Sequence, residues 1–349
     1  FKEARKFRFT DKYTESKSKT FIVDTNAFSK HITKMTEVKH IDKINNSNLW
    51  KSFQSKQLSI ELEAALRSIE LRYQKNIVSW NKLTEEQKKS KYRKMKNPIR
   101  VHDQSLFAIY CIHERHYRFM QDTKSGRVHH ILTNIHKSLR QFLRYEGMEL
   151  VNLDFKNSQP FLSSILFNEN FWRDNLEGGF KMLGKDKLVQ FSSCQCYLTK
   201  ENDIDTYVRQ VQEGTFYESL MKLWNMKDRA EAKIEALVVM FSKNTYKSKN
   251  KRLFEKAYPN VSKMFECIRG IDGSDDSHKK FPILLQQLES SLFIGKICKR
   301  INTEYPEMRL FTIHDSVLTT KNNAEYIERV MREETIKLLG VEPTISKEY

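Results

Sequence analysis

The sequence predicts an α+β fold on three observations. Apolar residues recur at helical spacing over long stretches, most clearly after residue 200. Two short apolar runs, 148–153 and 308–313, read as buried strands. Each of those strands runs into an aspartate, Asp154 and Asp315. The chain has 349 residues, 39% hydrophobic and 11% aromatic, which is enough for cores and excludes wholesale disorder. With 10 Gly and 6 Pro it is not linker-rich.

The elements follow in order. Residues 1–50 are polar and read as loops with short elements. Over 58–77 apolar residues fall mostly at helical spacing among charges. A dense basic cluster follows at 85–96, with Lys88, Lys89, Lys91, Arg93, Lys94 and Lys96. It is either a solvated helix face or a phosphate-tracking arm, and its one-signed excess favours the arm. Residues 117–128 look like two short strands around a polar turn ending at Gly126. Residues 134–145 read as a helix through Ile135, Leu139, Phe142 and Leu143. After the strand ending at Asp154 comes a helix through Phe161, Ile165 and Leu166. Further helices are expected at 203–224, 228–243, 250–268 and 283–302. The strand into Asp315 has 317–320 as hairpin partner, and a helix near 323–339 closes the chain.

Charge narrows the function classes. Lys plus Arg is 61 against 44 Asp plus Glu, a net +17. Residues 1–120 hold 26 basic and 13 acidic side chains, and the rest of the chain is only +4. Such a one-sided field favours a polyanion, most often nucleic acid. No apolar run reaches the roughly 18 residues of a membrane span. Cys111, Cys194, Cys196, Cys267 and Cys298 are odd in number and unevenly spaced, as expected of reduced cytoplasmic thiols. The chain begins FKEARKFRFT, without a signal-peptide pattern or an initiator Met, which fits a trimmed chain.

The two strand-end acids are 161 residues apart, with mostly helical sequence between them. A single strand-end Asp usually just starts a turn. Two on adjacent strands would repel one another unless a cation lay between them, and a pair of Mg²⁺ ions there could clamp a phosphoryl-transfer transition state. Arg229, Lys233, Leu237 and Phe241 recur every four residues and so share one helical face. Taken alone, an Arg and a Lys one turn apart are usually a solvated face, though such a pair can also grip a triphosphate and a Lys can protonate departing pyrophosphate.

The segment GRVHHILTNIHKSLRQFLRYEGMELVNLDFKNSQP carries Gly126-Arg127, Asn134, Arg140, Phe142, Gly147, Asp154, Ser158 and Gln159 in order. It resembles the first catalytic motif of the A-family nucleic-acid polymerases, the group of bacterial DNA polymerase I and, more distantly, the single-subunit phage RNA polymerases. DRAEAKIEALVVMFSKN resembles the family's fingers helix, and FEKAYPNVSKMF the stretch after it. QQLESSLFIGKICKRI followed by LFTIHDSVLTT resembles the second palm motif, with His314-Asp315 as its His-Asp signature. The likeness covers 126–349.

This resemblance implies a right-hand polymerase. Its parts would be a palm at 121–200 and 281–349 with a small antiparallel sheet, and fingers at 201–280; residues 1–120 lie outside the likeness, and their position and positive charge lead us to expect a basic, thumb-like region there. The resemblance implies two Mg²⁺, with Mn²⁺ as possible substitute, on Asp154, Asp315 and the Phe155 carbonyl. Arg229 and Lys233 would bind the triphosphate, and Phe241 would stack near the nascent pair beside Leu237. Arg127, Arg140, Gln287 and His314 would touch a primer–template. The implied reaction is template-directed synthesis from nucleoside triphosphates by a DNA polymerase of phage or mobile-element type.

Departures keep alternatives open. Ser316 stands where DNA polymerases place an acid, Gln159 where a Glu screens the sugar, Phe241 where a Tyr is usual, and Leu237-Val238 where a Gly is usual. A primase-like or RNA-synthesising enzyme of the same fold remains open, as does an idle nucleic-acid-binding protein. Three signals are set aside. GFKMLGKD at 179–186 lacks the Ser/Thr of a P-loop. His113 with His116, and Cys194 with Cys196, do not complete a zinc set.

Overall fold

The computed structural model describes residues 47–89, 96–117, 119–168, 202–270 and 273–348. The expectations for residues 1–46, Lys91, Arg93, Lys94, 179–186, Cys194 and Cys196 lie outside these. The described residues are mixed α and β, mostly helical, with antiparallel sheet pairing. They fall into two compact units. One takes its residues from 56–120 and 129–147, the other from 42–55, 121–128 and 148–349.

In the first unit, strand β1 (Leu58–Ile60) pairs antiparallel with β4 (Leu143–Tyr145), Leu58 opposite Tyr145. The helical spacing expected from residue 58 begins only at 62, because Leu58 and Ile60 alternate inward as a strand does. Helix Leu62–Asn81 packs on helix Pro98–His113, which the sequence reading did not foresee. The start of the latter is built locally. Asn97 Oδ1 accepts from the Ile99 and Arg100 amides, and Pro98 takes the first turn, where its missing N–H costs nothing. The helix expected at 134–145 is a short helix Ile131–Asn134, a 3₁₀ turn Lys137–Phe142 and then β4. Leu139 and Leu143 are still buried, but pairing with β1 holds the last three residues extended.

The second unit is built on β5 (Met148–Phe155). It pairs with β7 (Ser316–Thr320) on one edge and β8 (Ile345–Glu348) on the other, and β7 pairs with β6 (Leu310–Ile313), all antiparallel. Every residue of β6 and β7 is buried. β8, with only Ile345 apolar in ISKE, carried no signal in the sequence. The remaining strands, β2 (Phe119–Gln121) and β3 (Val128–His130), flank the turn predicted there. Asp122 closes that turn by accepting from the Lys124 and Ser125 amides, and Gly126 takes φ 72°.

Two of the expected helices are each two. The 203–224 run breaks at Gly214, φ 75°, into Asn202–Glu213 and Phe216–Trp224. The 250–268 run breaks before Pro259, which starts the second helix of the pair Lys249–Ala257 and Pro259–Gly270. The 283–302 helix is Lys280–Ser290 continued through a π-helical segment, Ser291–Cys298, into Lys299–Glu304. Helices Arg229–Phe241 and Lys321–Leu339 fall close to expectation. Tyr207 centres the helical core, fully buried, with its ring edge-on to Phe216, Tyr258 and Phe265.

Candidate active site

The β5–β7 register sets Asp154 opposite Ser316. On β6–β7, Ile313 lies opposite Ser316, so His314 and Asp315 form the two-residue turn of the hairpin. His314 takes φ 55°, as the first residue of such a turn requires. The Phe155 amide donates to the Asp315 carbonyl at 3.3 Å. The two strand-end acids are therefore neighbours across one strand pairing, both partly exposed. Among the described residues, no group of three His, Cys, Asp or Glu is arranged to hold a metal, so the candidate oxygen donors are these two carboxylates with main-chain carbonyls.

Immediately after β5 the chain turns through Asn157, φ 53°, into helix Ser158–Ser163. Asn157 is buried. Its Oδ1 accepts from Arg229 at 3.4 Å, while its Nδ2 has no hydrogen-bond partner among the described residues. Arg229 opens helix Arg229–Phe241, capped by Asp228 on the Ala230 amide. Its guanidinium pairs with Glu218 at 2.5 Å and lies 5.2 Å from the Tyr217 ring centroid. Burial holds the Tyr217 phenol well above its ordinary pKa; Arg229 opposes the shift, and Asp315 and Glu218 add to it.

Lys233 is exposed one turn along, and Leu237 and Phe241 are half-buried. The Phe241 ring sits edge-on to the buried Phe281, 5.3 Å between centroids, so part of it serves the helical core. The large exposed apolar side chain on this helix is Ile234, beside Lys233.

A second group forms around Glu289, 1% exposed in helix Lys280–Ser290. Arg127 donates to it twice, Nε at 2.8 Å and Nη2 at 2.7 Å, and Gln159 Nε2 donates at 3.1 Å. Burial pushes the Glu289 carboxyl up to about 7, against the pull of Arg127 and Gln159, with Asp315 adding to the rise. Among the described residues Gln159 makes no other hydrogen bond, which leaves its carbonyl Oε1 uncommitted there. Gln287, one residue before Leu288, donates instead to the Lys124 carbonyl. Arg140 lies in the first unit, in the Lys137–Phe142 turn, half-buried.

Sequence reasoning missed Asn157, Glu218 and Glu289, and placed Tyr217 only in the segment before the fingers helix, with no role at the site. For Glu289 a signal existed: it falls on the buried stripe of Leu285, Leu288 and Leu292, where an acid calls for a partner. For the others the sequence held no local mark.

No family model and no curated protein matches the sequence. Among solved structures, the chain is similar to the POL domain of Pol1 from M. smegmatis in complex with DNA primer-template and dNTP. That match has a TM-score of 0.45 and 12% identity over 93% of this chain and 72% of that one. Among the described residues, no helix is long and apolar enough to cross a membrane.

Proposed function

We propose that this chain is a template-directed nucleotidyltransferase that extends a primer, in its simplest form a DNA polymerase. The 3′-hydroxyl oxygen attacks the α-phosphorus of a nucleoside triphosphate, the bond from that phosphorus to the bridging oxygen of the β-phosphate breaks, and pyrophosphate leaves. The observation that carries this reading is the pairing of β5 with the His314-Asp315 hairpin. It brings Asp154 and Asp315 together, with Arg229 reaching Asn157 three residues beyond Asp154.

The donor set suits hard divalent cations, since carboxylates and main-chain carbonyls offer only oxygen. Asp154, Asp315 and the Phe155 carbonyl would hold Mg²⁺, or Mn²⁺ in its place, and two such ions would neutralise the transferring phosphoryl group and lower the pKa of the attacking hydroxyl. The protein's own groups do the rest. Arg229 and the orphaned Asn157 amide hold phosphate oxygens, which would satisfy a buried donor that has no partner. Lys233 gives a proton to the departing pyrophosphate. Phe241 and Leu237 border the base, and Arg127, Gln287 and His314 face the primer–template; Arg140, in the first unit, is a separate nucleic-acid contact.

One observation favours a second reading, an RNA-synthesising or primase-like enzyme on the same framework. Glu289 holds the amide end of Gln159, so its carbonyl is the end left uncommitted, and a carbonyl acceptor suits a ribose 2′-hydroxyl.

Primer extension with dNTPs and NTPs in parallel, in Mg²⁺ and in Mn²⁺, tests both readings. Incorporation by the wild type, abolished in Asp315→Asn with nucleic-acid binding retained, is expected. No incorporation of either substrate class overturns the enzyme reading, and full synthesis by Asp315→Asn overturns the site.

A further inference from the structure

The first unit contains a cleft of about 530 Å³ that shares no residue with the carboxylate site. Helices Leu62–Asn81 and Pro98–His113 form its walls, and the turn Asn134–Lys137 closes one end. Its floor is apolar, with Ile69 and Ile135 buried and Val101 half-buried. On one side the Tyr73 and His102 rings pack together, 4.9 Å between centroids and tilted 44° to one another. The cations Arg72, Lys96 and Lys137 also line it; among the described residues no Asp or Glu does, although Glu70 and Asp103 lie 3.4 and 3.6 Å from the His102 ring nitrogens.

His136 reports how these charges converge. Its Nδ1 accepts from the Ser138 amide at 3.1 Å and lies 2.8 Å from the Ser138 hydroxyl. That fixes the neutral ring with its proton on Nε2. Burial, then Arg72 on one wall, Lys96 ahead of the other and Arg140 along the same turn, hold its pKa below the ordinary value. A cavity with an apolar floor, an aromatic pair and three cations is complementary to a flat ring that carries an anion. Its volume is that of a small organic ligand rather than a lone ion.

We propose that this cleft binds a nucleotide, its base on the Ile69–Val101–Ile135 floor beside Tyr73 and His102, and its phosphate on Arg72, Lys96 and Lys137. Stacking on an aromatic face together with phosphate pairing is how unpaired nucleotides are held without sequence preference. The nucleotide comes either free or as an unpaired unit of a strand. The chemistry is the same, and the test separates the two.

The test uses the full chain in EDTA, so that divalent cations do not contribute. Binding is measured for AMP, for a single-stranded oligothymidylate and for inorganic phosphate. Lys96 and Lys137 are exposed, so their replacement spares the fold. The double variant Lys96→Gln/Lys137→Gln is expected to weaken nucleotide binding at least tenfold, and Tyr73→Leu to weaken AMP more than inorganic phosphate. Asp315→Asn should leave both unchanged. Bound anion should also raise the His136 pKa, read from its imidazole resonance assigned with His136→Gln. Binding of AMP identifies a free nucleotide as ligand; binding of the oligonucleotide alone identifies a strand. Three results overturn the proposal: no binding of either, binding that the double variant leaves intact, or phosphate bound as tightly as AMP.

Discussion

Arg127 and Glu289, 162 residues apart in sequence, form a two-pronged ion pair at 2.7 and 2.8 Å inside the second unit, with Gln159 as a third partner on the same carboxylate. The pair ties the turn after β2 and the helix after Asp154 to helix Lys280–Ser290. It sets two positions that the sequence marks, Arg127 as an expected primer–template contact and Gln159 as an expected substrate contact at the place of the sugar-screening Glu, by way of a buried acid that carries neither expectation.

Removing Arg127 strips two hydrogen bonds from the buried Glu289 carboxyl, and the cost is largest above about pH 7, where that carboxyl is ionised. Arg127→Leu is expected to destabilise the chain by about 3–5 kcal/mol, while the double variant Arg127→Leu/Glu289→Met recovers most of that loss. Denaturant unfolding of the three proteins checks it; equal loss in the single and double variants would contradict the pairing.

The same carboxyl predicts a pH dependence. Its folded pKa, about 7, lies above its unfolded value near 4.5. Below both values the group is protonated in either state and contributes nothing. Between them the unfolded chain releases the proton first, so stability falls as pH rises and levels off above about 7. The loss is on the order of 3 kcal/mol. Wild type should weaken relative to Glu289→Gln across that window, seen as a difference between their unfolding free energies at pH 5 and pH 8. A flat difference would contradict it.

Arg269, 4% exposed, caps the far end of the helix that carries Arg229 and Lys233. Its Nη1 donates to the Val239 and Met240 carbonyls at 2.8 and 3.0 Å, and its Nε to Asn244 at 2.7 Å. Arg269→Met removes these donors from buried carbonyls and should cost about 2–4 kcal/mol. Triphosphate affinity should fall with it as the helix end loosens. Thermal unfolding and nucleotide binding measured on the same preparation check both halves.

The Tyr207 hydroxyl lies 2.6 Å from Ser163 Oγ and donates to the Pro160 carbonyl at 3.1 Å, joining the helical core to the helix after Asp154. Tyr207→Phe keeps the ring packing and is expected to cost about 1–2 kcal/mol. Tyr207→Ala also loses the ring and should cost about 3–5 kcal/mol. Similar losses in both would mean the ring contributes little.

The parts legible in the sequence were those with local signatures. The apolar runs into Asp154 and Asp315 are strands, and the four-residue spacing of Arg229, Lys233, Leu237 and Phe241 lies on a helix, because period and polarity are properties of adjacent residues. Breaks at Gly214 and Pro259 were also written locally, though the reading ran helices through them. What stayed hidden was non-local: β4 extended only because β1 pairs with it, and β8 paired on β5 with little apolar character of its own.

By itself the sequence determined the fold class, the two acids, the basic excess of residues 1–120 and the cationic helix face. Tertiary structure alone decided that Asp154 faces Ser316 beside the Asp315 turn, that Arg229 reaches Asn157, and that Arg127 and Gln159 converge on a buried Glu289. The reason is physical. Strand register and helix docking are set by burial summed over residues far apart in the chain, and a buried charge acquires its partner only once those elements have met.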